Sequence, residues 1–177
     1  MAFHGTPSAS VLKIAATASQ LEMENEFLDS GLPDDHERIV VDTNVIVSAL
    51  VFGGLPRQVI DLVARGTCEM YFSPPIREEI ERVLEKKFGW DRKEIETRVE
   101  FLFSWGTEIH PRNPLAVIKD DPDDDRILEC ALAAHAQTII SGDKHLLRLG
   151  SFQSIAICTP RQFLSTRAQS ARKQEKK

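Results

Sequence analysis

Cysteine is scarce in this chain of 177 residues, which has three cysteines. They are Cys68, Cys130 and Cys158, and they lie far apart. A zinc site or a disulfide framework would need cysteines at short, paired intervals, so this odd and scattered set predicts neither. Free thiols are typical of a reducing compartment, and the protein is expected to be cytoplasmic.

Long apolar runs are also missing. The apolar stretch near the start, residues 11–18, is too short to cross a membrane and lacks the basic lead-in of an export signal. Apolar residues make up 42% of the chain and charged residues 28%, which fits a globular protein with one hydrophobic core. Neither export nor membrane association is expected.

Lysine and arginine are absent from residues 14–37, a strongly acidic stretch, whereas the chain from Arg161 onward has six basic residues against one acid, Glu175. The net charge of −5 argues against broad, nonspecific binding to nucleic acid, although the basic end could help to hold a polyanion. The compact domain is predicted over residues 38–164. It would lie between an acidic extension, 1–37, partly disordered or helical, and a basic disordered tail, 165–177.

Short apolar segments alternate with amphipathic helical segments along this domain. Strands are predicted at residues 38–41, 69–72, 107–110, 138–140 and 155–158. Helices are predicted from about residue 45, at 56–64, 73–87, 91–104, 124–136 and 144–149, and from residue 160. This alternation predicts a three-layer α/β/α fold with a mostly parallel central sheet.

Two aspartates follow predicted strands directly or within a short turn. Asp42 follows the first strand, and Asp143 follows the fourth. Because ligand sites of open parallel sheets lie beyond the carboxyl ends of the strands, both carboxylates are expected near one site, although each could instead cap a helix or belong to a turn. Neighbouring side chains that could orient a carboxylate or a water, or simply cap a helix, are Thr43, Asn44 and Ser141.

Further acids lie on predicted helices. Five of the six residues 120–125 are acidic, and such crowding is unfavourable unless solvent or a cation offsets it. A helical wheel places Asp124 near the middle of the apolar face of its helix, where it would be an N-terminal cap or a metal ligand. Glu79 borders the apolar stripe of the helix at 73–87, a position that a solvated flank also explains.

The acidic run is not a calcium-binding EF-hand loop. Arg126 and Leu132 occupy the loop positions that would need glycine and glutamate. The four carboxylates that the topology can gather at one end of the sheet are hard oxygen ligands, which suit Mg²⁺ or Mn²⁺. The leading hypothesis from the residues alone is a metal-dependent enzyme that acts on phosphate esters. The four are Asp42, Glu79, Asp124 and Asp143.

Several motifs occur in an order that is specific as a set although each is weak alone. They are Val41-Asp42-Thr43-Asn44 with residues 45–50, Ser73 followed by Glu79-Ile80 and Val83-Leu84, Asp121-Pro122-Asp123-Asp124-Asp125 with Ile127-Leu128 and Ala131, Ser141-Gly142-Asp143-Lys144-His145-Leu146-Leu147, and Thr159-Pro160-Arg161-Gln162-Phe163-Leu164. Over residues 38–164 this order resembles the PIN-domain family. It is most similar to the branch of toxin components of toxin–antitoxin systems, related to VapC-type toxins.

The resemblance implies a parallel-sheet nuclease. Its catalytic and metal-ligating set would be Asp42, Glu79, Asp124 and Asp143, with Mg²⁺ or Mn²⁺ bound. Asp121 and Asp125 would assist, and an Asp-Asp pair stands at 124–125 where relatives often have Asp-Asn. The implied function is a ribonuclease that cleaves RNA phosphodiesters to 5′-phosphate products, with an antitoxin and a second copy as expected partners. Lys144, His145 and Arg126 are candidate phosphate contacts by their place beside the acids, and solvated surface positions explain each equally well.

Three alternatives stay open at this point. The first is a PIN-domain nuclease in RNA processing or quality control without an antitoxin, which the gene neighbourhood would distinguish from a toxin. The second is a nucleic-acid-binding module that does not cleave, against which the complete acid set argues. The third, a haloacid-dehalogenase phosphatase, is distant because the motif that begins at Asp42 lacks that family's second aspartate.

Overall fold

A six-stranded sheet organises the chain, whose computed structural model describes residues 36–118 and 122–174. Its strands are β1 (Glu37–Val41), β2 (Cys68–Phe72), β3 (Gly106–Glu108), β4 (Thr138–Ile140), β5 (Ser151–Phe152) and β6 (Ile155–Cys158). Their order in the sheet is β3-β2-β1-β4-β6-β5, and all neighbours are parallel except β5 and β6, which are antiparallel.

Helices flank this sheet, and together they confirm the predicted α/β/α class. They are α1 (Thr43–Val51), α2 (Gly54–Ala64), α3 (Pro74–Phe88), α4 (Arg92–Phe103), α5 (Asp125–Ala133), α6 (Lys144–Leu149) and α7 (Pro160–Gln174). A short 3-10 helix, Pro122–Asp124, leads into α5. Helices that follow parallel strands cover the sheet and bury its apolar side chains.

The two central strands position the candidate site. The last three residues of β1 and all of β4 are buried, as expected for strands covered on both sides. Val41 pairs with Ile140, so the chain leaves both strands at the same level of the sheet. The chain builds β2 and β3 on one side of β1, and β4 and β6 on the other. The β1–β4 pair is therefore the switch point where open sheets bind ligands.

The end of the chain differs from the prediction. α7 continues to Gln174, so the predicted disordered tail from residue 165 is wrong over residues 165–174. The guanidinium of Arg167 donates to the Glu37 carboxylate at 2.8 Å and to the Thr67 carbonyl at 3.1 Å, and these bonds hold the helix against the sheet. Residues 1–35 of the predicted extension and residues 175–177 lie outside the described part of the chain.

Two smaller differences concern the second half. The predicted helix at 124–136 ends at Ala133, and His135 adopts a left-handed φ of 48°, which stops a helix. β5 was not predicted, because a two-residue strand carries no detectable period.

Within the described residues, no single helix has the length and apolar character to cross a membrane. The pair α1 and α2, bent by 99° at the break between them, meets the length and composition criteria together.

Candidate active site

Asp42 lies at the centre of the candidate site. It follows β1 and caps α1, and its side chain is 2% exposed. Its carboxylate atom Oδ2 accepts a 2.7 Å hydrogen bond from the Ser141 hydroxyl, whereas Oδ1 accepts only a long 3.4 Å contact from the Asn44 amide. The Asp42 amide donates to the Ile140 carbonyl at 2.9 Å, so the β1–β4 pairing continues into the site. One carboxylate oxygen is therefore fixed, and the other is weakly engaged.

Burial makes the ionised form of Asp42 unfavourable. Desolvation by burial, together with smaller contributions from the charges of Asp143 and Glu79, raises the pKa of Asp42 from 3.8 to about 6. The hydrogen bonds from Ser141 and from the Asn44 amide act in the opposite direction but do not cancel the effect. A buried carboxylate surrounded by like charges is costly for folding and is typical of a functional site.

Glu79 reaches this centre from α3. The Thr43 hydroxyl donates to its Oε2 atom at 3.3 Å, while Oε1 lies 3.6 Å from the guanidinium of Arg82. The Glu79 side chain is 27% exposed, so it lies at the boundary between the buried centre and solvent. At the predicted border of the apolar stripe, Glu79 therefore contacts Thr43 on one side and lines an open groove on the other.

Asp143 joins the centre through Ser141. The Ser141 hydroxyl, which donates to Asp42, also accepts a 2.9 Å hydrogen bond from the Asp143 amide. The Asp143 carboxylate caps α6 by accepting from the His145 amide at 2.6 Å. Capping and site roles are compatible here, because the cap uses one oxygen of the carboxylate. Ser141 is completely buried and links the two strand-end aspartates.

Asp124 and Asp125, at the start of α5, have different roles. Asp125 is 3% exposed, and its carboxylate accepts from the backbone amides of Val117 at 3.1 Å and Ile118 at 3.0 Å. Asp124 is half-buried, its Oδ2 atom is buried, and its side chain makes no capping hydrogen bond to α5. Asp125 thus fastens the preceding loop, while the carboxylate of Asp124 is not used as a cap.

The helical wheel therefore needs correction at this point. It placed Asp124 as the inward member of the run, but Asp125 is the more deeply buried of the two. The wheel assumed an α-helix from residue 124 onward. Residues Pro122–Asp124 instead form a 3-10 helix, whose tighter turn rotates each side chain further than the 100° assumed.

The remaining predicted residues lie around these acids. Asn44 and Lys144 are exposed, and His145 is half-buried. Arg126 forms an ion pair with Asp123 at 3.0 Å. Asp121, predicted to assist, lies outside the described residues. The role of Lys144 and His145 as phosphate contacts stays a prediction.

Arg82 is a residue of this region that the sequence reasoning missed. It shares α3 with Glu79 and follows it by three positions, a spacing at which side chains meet on a helix. That spacing was visible in the sequence. It was not informative until Glu79 was known to lie at the edge of the site.

The donor chemistry fits a hard divalent cation. The acids of the centre are carboxylates, whose hard oxygen atoms suit Mg²⁺ or Mn²⁺. In the residues that the structure describes, however, no three acidic, histidine or cysteine side chains are close enough together to hold one ion. Coordination of one ion by three or more of these acids therefore requires their side chains to move from the positions described.

A groove extends from this centre to the surface. It has a volume of about 240 Å³ and is lined by side chains of α3 and of the segment around the start of α5. The lining residues are Pro75, Glu78, Glu79, Arg82, Asp123 and Arg126. Glu79 is therefore shared by the buried acid cluster and by this groove.

The chain belongs to the PIN-domain family. The family profile, described as PIN domain, matches residues 38–145, which include all four acids of the candidate site. PIN-domain proteins are generally nucleases that use divalent metal ions, and membership supports a nuclease here.

One protein and two solved structures are similar to this chain. The uncharacterized protein MJ1680 of Methanocaldococcus jannaschii is 32% identical over 118 residues, which cover 63% of this chain and 74% of that protein. The structure of VapBC2 from Rickettsia felis, bound to a DNA fragment from its promoter, is 14% identical with a TM-score of 0.50, covering 68% of this chain and 96% of the other. The RRP44 PIN domain of T. brucei is 15% identical with a TM-score of 0.50, covering 80% and 86%. At these identities the two structures establish the shared fold.

Proposed function

We propose that this protein is a metal-dependent ribonuclease that hydrolyses RNA phosphodiesters and acts as the toxin component of a toxin–antitoxin system. The observation that carries the proposal is the cluster of Asp42, Glu79 and Asp143 at the carboxyl ends of β1 and β4. Like charges that raise the pKa of a buried carboxylate are costly, and a bound cation would offset that cost. The PIN-domain fold supplies the class of reaction.

The residues present have distinct roles in this proposal. Asp42, Glu79, Asp124 and Asp143 would hold Mg²⁺ or Mn²⁺, an ion that lowers the pKa of water and stabilises charge on a phosphoryl group. Ser141 fixes Oδ2 of Asp42, and Oδ1, which accepts only a long contact from the Asn44 amide, would be available to a cation. Thr43 orients Glu79 in the same way through Oε2.

A cleavage assay with the purified protein tests this proposal. Labelled RNA is incubated with Mn²⁺ or Mg²⁺, beside the variants Asp42→Asn and Asp124→Asn, and the product ends are mapped. Each variant removes one candidate ligand charge with little change of shape, so cleavage should fall at least about 100-fold. The control is Glu96→Gln, because Glu96 is 59% exposed on α4 and pairs with Arg92.

Two outcomes would contradict the assignment. Equal cleavage by the wild type and both aspartate variants would show that the acids are not the catalytic set. A lack of cleavage under every metal condition would remove the ribonuclease function, and the fold would then serve RNA or DNA binding.

The antitoxin is the second part of the proposal, and an exposed apolar surface supports it. A groove of about 210 Å³ between α1, α2 and α4 is lined mainly by apolar side chains, including Leu50, Ile60 and Trp105. Phe101 at its rim is 62% exposed, and such exposed aromatic surface is typical of protein contact sites. The solved structure of VapBC2 contains a toxin-type PIN domain with its partner, which motivates an apolar antitoxin segment as the occupant.

The alternative is a PIN-domain nuclease of RNA processing, which the likeness to the RRP44 domain supports. Co-expression with the neighbouring gene distinguishes it from a toxin. A small protein encoded beside this one should copurify with it and inhibit cleavage. Phe101→Ser should weaken that complex and leave RNA cleavage unchanged. Cleavage that no neighbouring gene product inhibits would favour the processing nuclease, and the same size-exclusion run would report whether the protein is a homodimer.

A further inference from the structure

We infer that Arg82 and Arg126 are positioning residues that hold the phosphates of an RNA strand in the groove beside Glu79. This inference rests on the proposed ribonuclease function and names the path by which the substrate reaches the acids. Arg82 comes from α3, whereas Arg126 comes from the first turn of α5. Two separate elements thus place a guanidinium at the same groove of about 240 Å³.

Both arginines are accessible to a ligand. The side chain of Arg82 is 54% exposed and that of Arg126 is 42% exposed. Each forms an ion pair with the acid three residues before it, at 3.6 Å for Glu79 and 3.0 Å for Asp123. Exposed pairs of this kind are weak, so an RNA phosphate can replace the carboxylate as the partner.

Guanidinium groups suit this role better than ammonium groups would. Arginine stays charged at every relevant pH, and its planar fork binds two phosphate oxygens at once. A chain with a net charge of −5 and a cluster of acids at its site repels RNA unless cations line the approach. Arg82 and Arg126 are the cations that line this groove within the described residues.

Glu79 connects the groove to the acid cluster. Its Oε2 atom accepts from Thr43, the neighbour of the buried Asp42, and its Oε1 atom faces Arg82. A phosphate held by Arg82 therefore lies next to a carboxylate of the candidate site. If Glu79 bound an ion, Arg82 would lose this partner on the protein, and its guanidinium would be left for the phosphate.

RNA binding without cleavage tests the inference. In the Asp42→Asn protein with EDTA, fluorescence anisotropy measures binding of a labelled oligouridylate of about 12 nucleotides over a series of salt concentrations. Adding Arg82→Ala or Arg126→Ala should weaken binding about 3- to 10-fold and lower the slope of log affinity against log salt by about 0.7 each. The double substitution should lower the slope by about 1.4.

Arg92→Ala is the control, because Arg92 pairs with Glu96 at 3.0 Å, is 90% exposed and is absent from the groove lining. It should change the affinity less than about twofold with the slope unchanged. Arg82→Lys should restore the slope but not the full affinity, since lysine keeps the charge without the fork. Circular dichroism of each variant verifies the fold.

The outcomes separate this inference from the proposed function. If the wild type cleaves RNA but Arg82→Ala and Arg126→Ala match Arg92→Ala in affinity and slope, the inferred phosphate binding by Arg82 and Arg126 is wrong. The proposed ribonuclease function is then unaffected. If the Asp42→Asn protein binds no RNA and the wild type cleaves none, both fail.

Discussion

The two ends of strand β1 treat charge in opposite ways. At its start, Glu37 accepts from the guanidinium of Arg167 at 2.8 Å and also accepts a hydrogen bond from the Thr138 hydroxyl. Directly after its end, Asp42 is buried next to two further acids, Asp143 and Glu79, that raise its pKa. Opposite charges are paired at the start of the strand, and like charges lie together just after its end. The two positions, Glu37 and Asp42, are only five residues apart along the chain.

This difference separates charges that stabilise the fold from charges that serve the function. Paired charges at the start of β1 connect the sheet to α7 and satisfy one another. The acids after its end oppose folding, because a desolvated carboxylate is less stable ionised than it is in water. A chain would keep such a cluster only where a ligand compensates the charge, which is why the acid end is assigned to function and the paired end to structure.

The largest expected effect on stability comes from Asp42→Asn. A pKa raised from 3.8 to about 6 means that the folded state holds its proton longer than the unfolded state, so the wild type loses stability as the pH rises from about 4 to about 6. The loss amounts to about 3 kcal/mol and is complete above that window. Asparagine has no charge to desolvate and still caps α1, so the variant should be more stable than the wild type by about 3 kcal/mol at pH 7.5 and nearly equal to it at pH 4.

Urea unfolding in EDTA across this pH range measures the effect. EDTA matters because a bound divalent ion would favour the ionised carboxylate and reverse the sign. Glu96→Gln, an exposed pair on α4, should show no such pH dependence. An Asp42→Asn protein that is less stable than the wild type at pH 7.5 would show that the charge of Asp42 is already compensated within the chain.

Much of this comparison could be predicted from the sequence. The acids after the end of β1 could be predicted, because Asp42 and Asp143 follow apolar segments short enough to be buried parallel strands. The carboxyl ends of such strands meet at one edge of the sheet. Glu79 could be predicted from its place beside the apolar stripe of its helix. Each of these inferences needed only local pattern and the general topology of α/β proteins.

The paired end could not be predicted, because it depends on contacts between distant parts of the chain. Glu37 and Arg167 are separated by 130 residues, and nothing in the composition of a basic tail indicates that residues 165–174 continue a helix. The deeper burial of Asp125 than of Asp124 could not be predicted for another reason. It depends on a 3-10 turn, whose sequence signal is too weak to separate from an α-helical start.

The next effect contrasts neighbours within the acidic run. Asp125→Ala should lower the free energy of unfolding by about 2 kcal/mol, because it leaves the part-buried amide of Val117 and the buried amide of Ile118 without their acceptor. Asp124→Asn should change stability by less than this, since its side chain does not cap α5, and it should lower cleavage at least about 100-fold. Chemical unfolding beside the RNA cleavage assay distinguishes the two. A larger loss of stability for Asp124→Asn than for Asp125→Ala would restore the assignment made by the helical wheel.

The smallest effect is expected at the paired end of β1. The Arg167 guanidinium lies over the Phe163 ring, 5.4 Å from its centre, so Arg167→Met keeps an apolar side chain but removes both this contact and the charge that Glu37 faces. The pair is about a quarter to a third exposed, at 25% and 30%, so solvent screens it and the loss should be about 1 kcal/mol. RNA cleavage per folded molecule should be unchanged, and the same loss should appear at pH 6 and pH 8. A double-mutant cycle with Glu37→Gln measures the coupling directly. If Arg167→Met instead reduced cleavage while the fold stayed intact, the two ends of β1 would be coupled, and the separation of a structural end from a functional end would have to be given up.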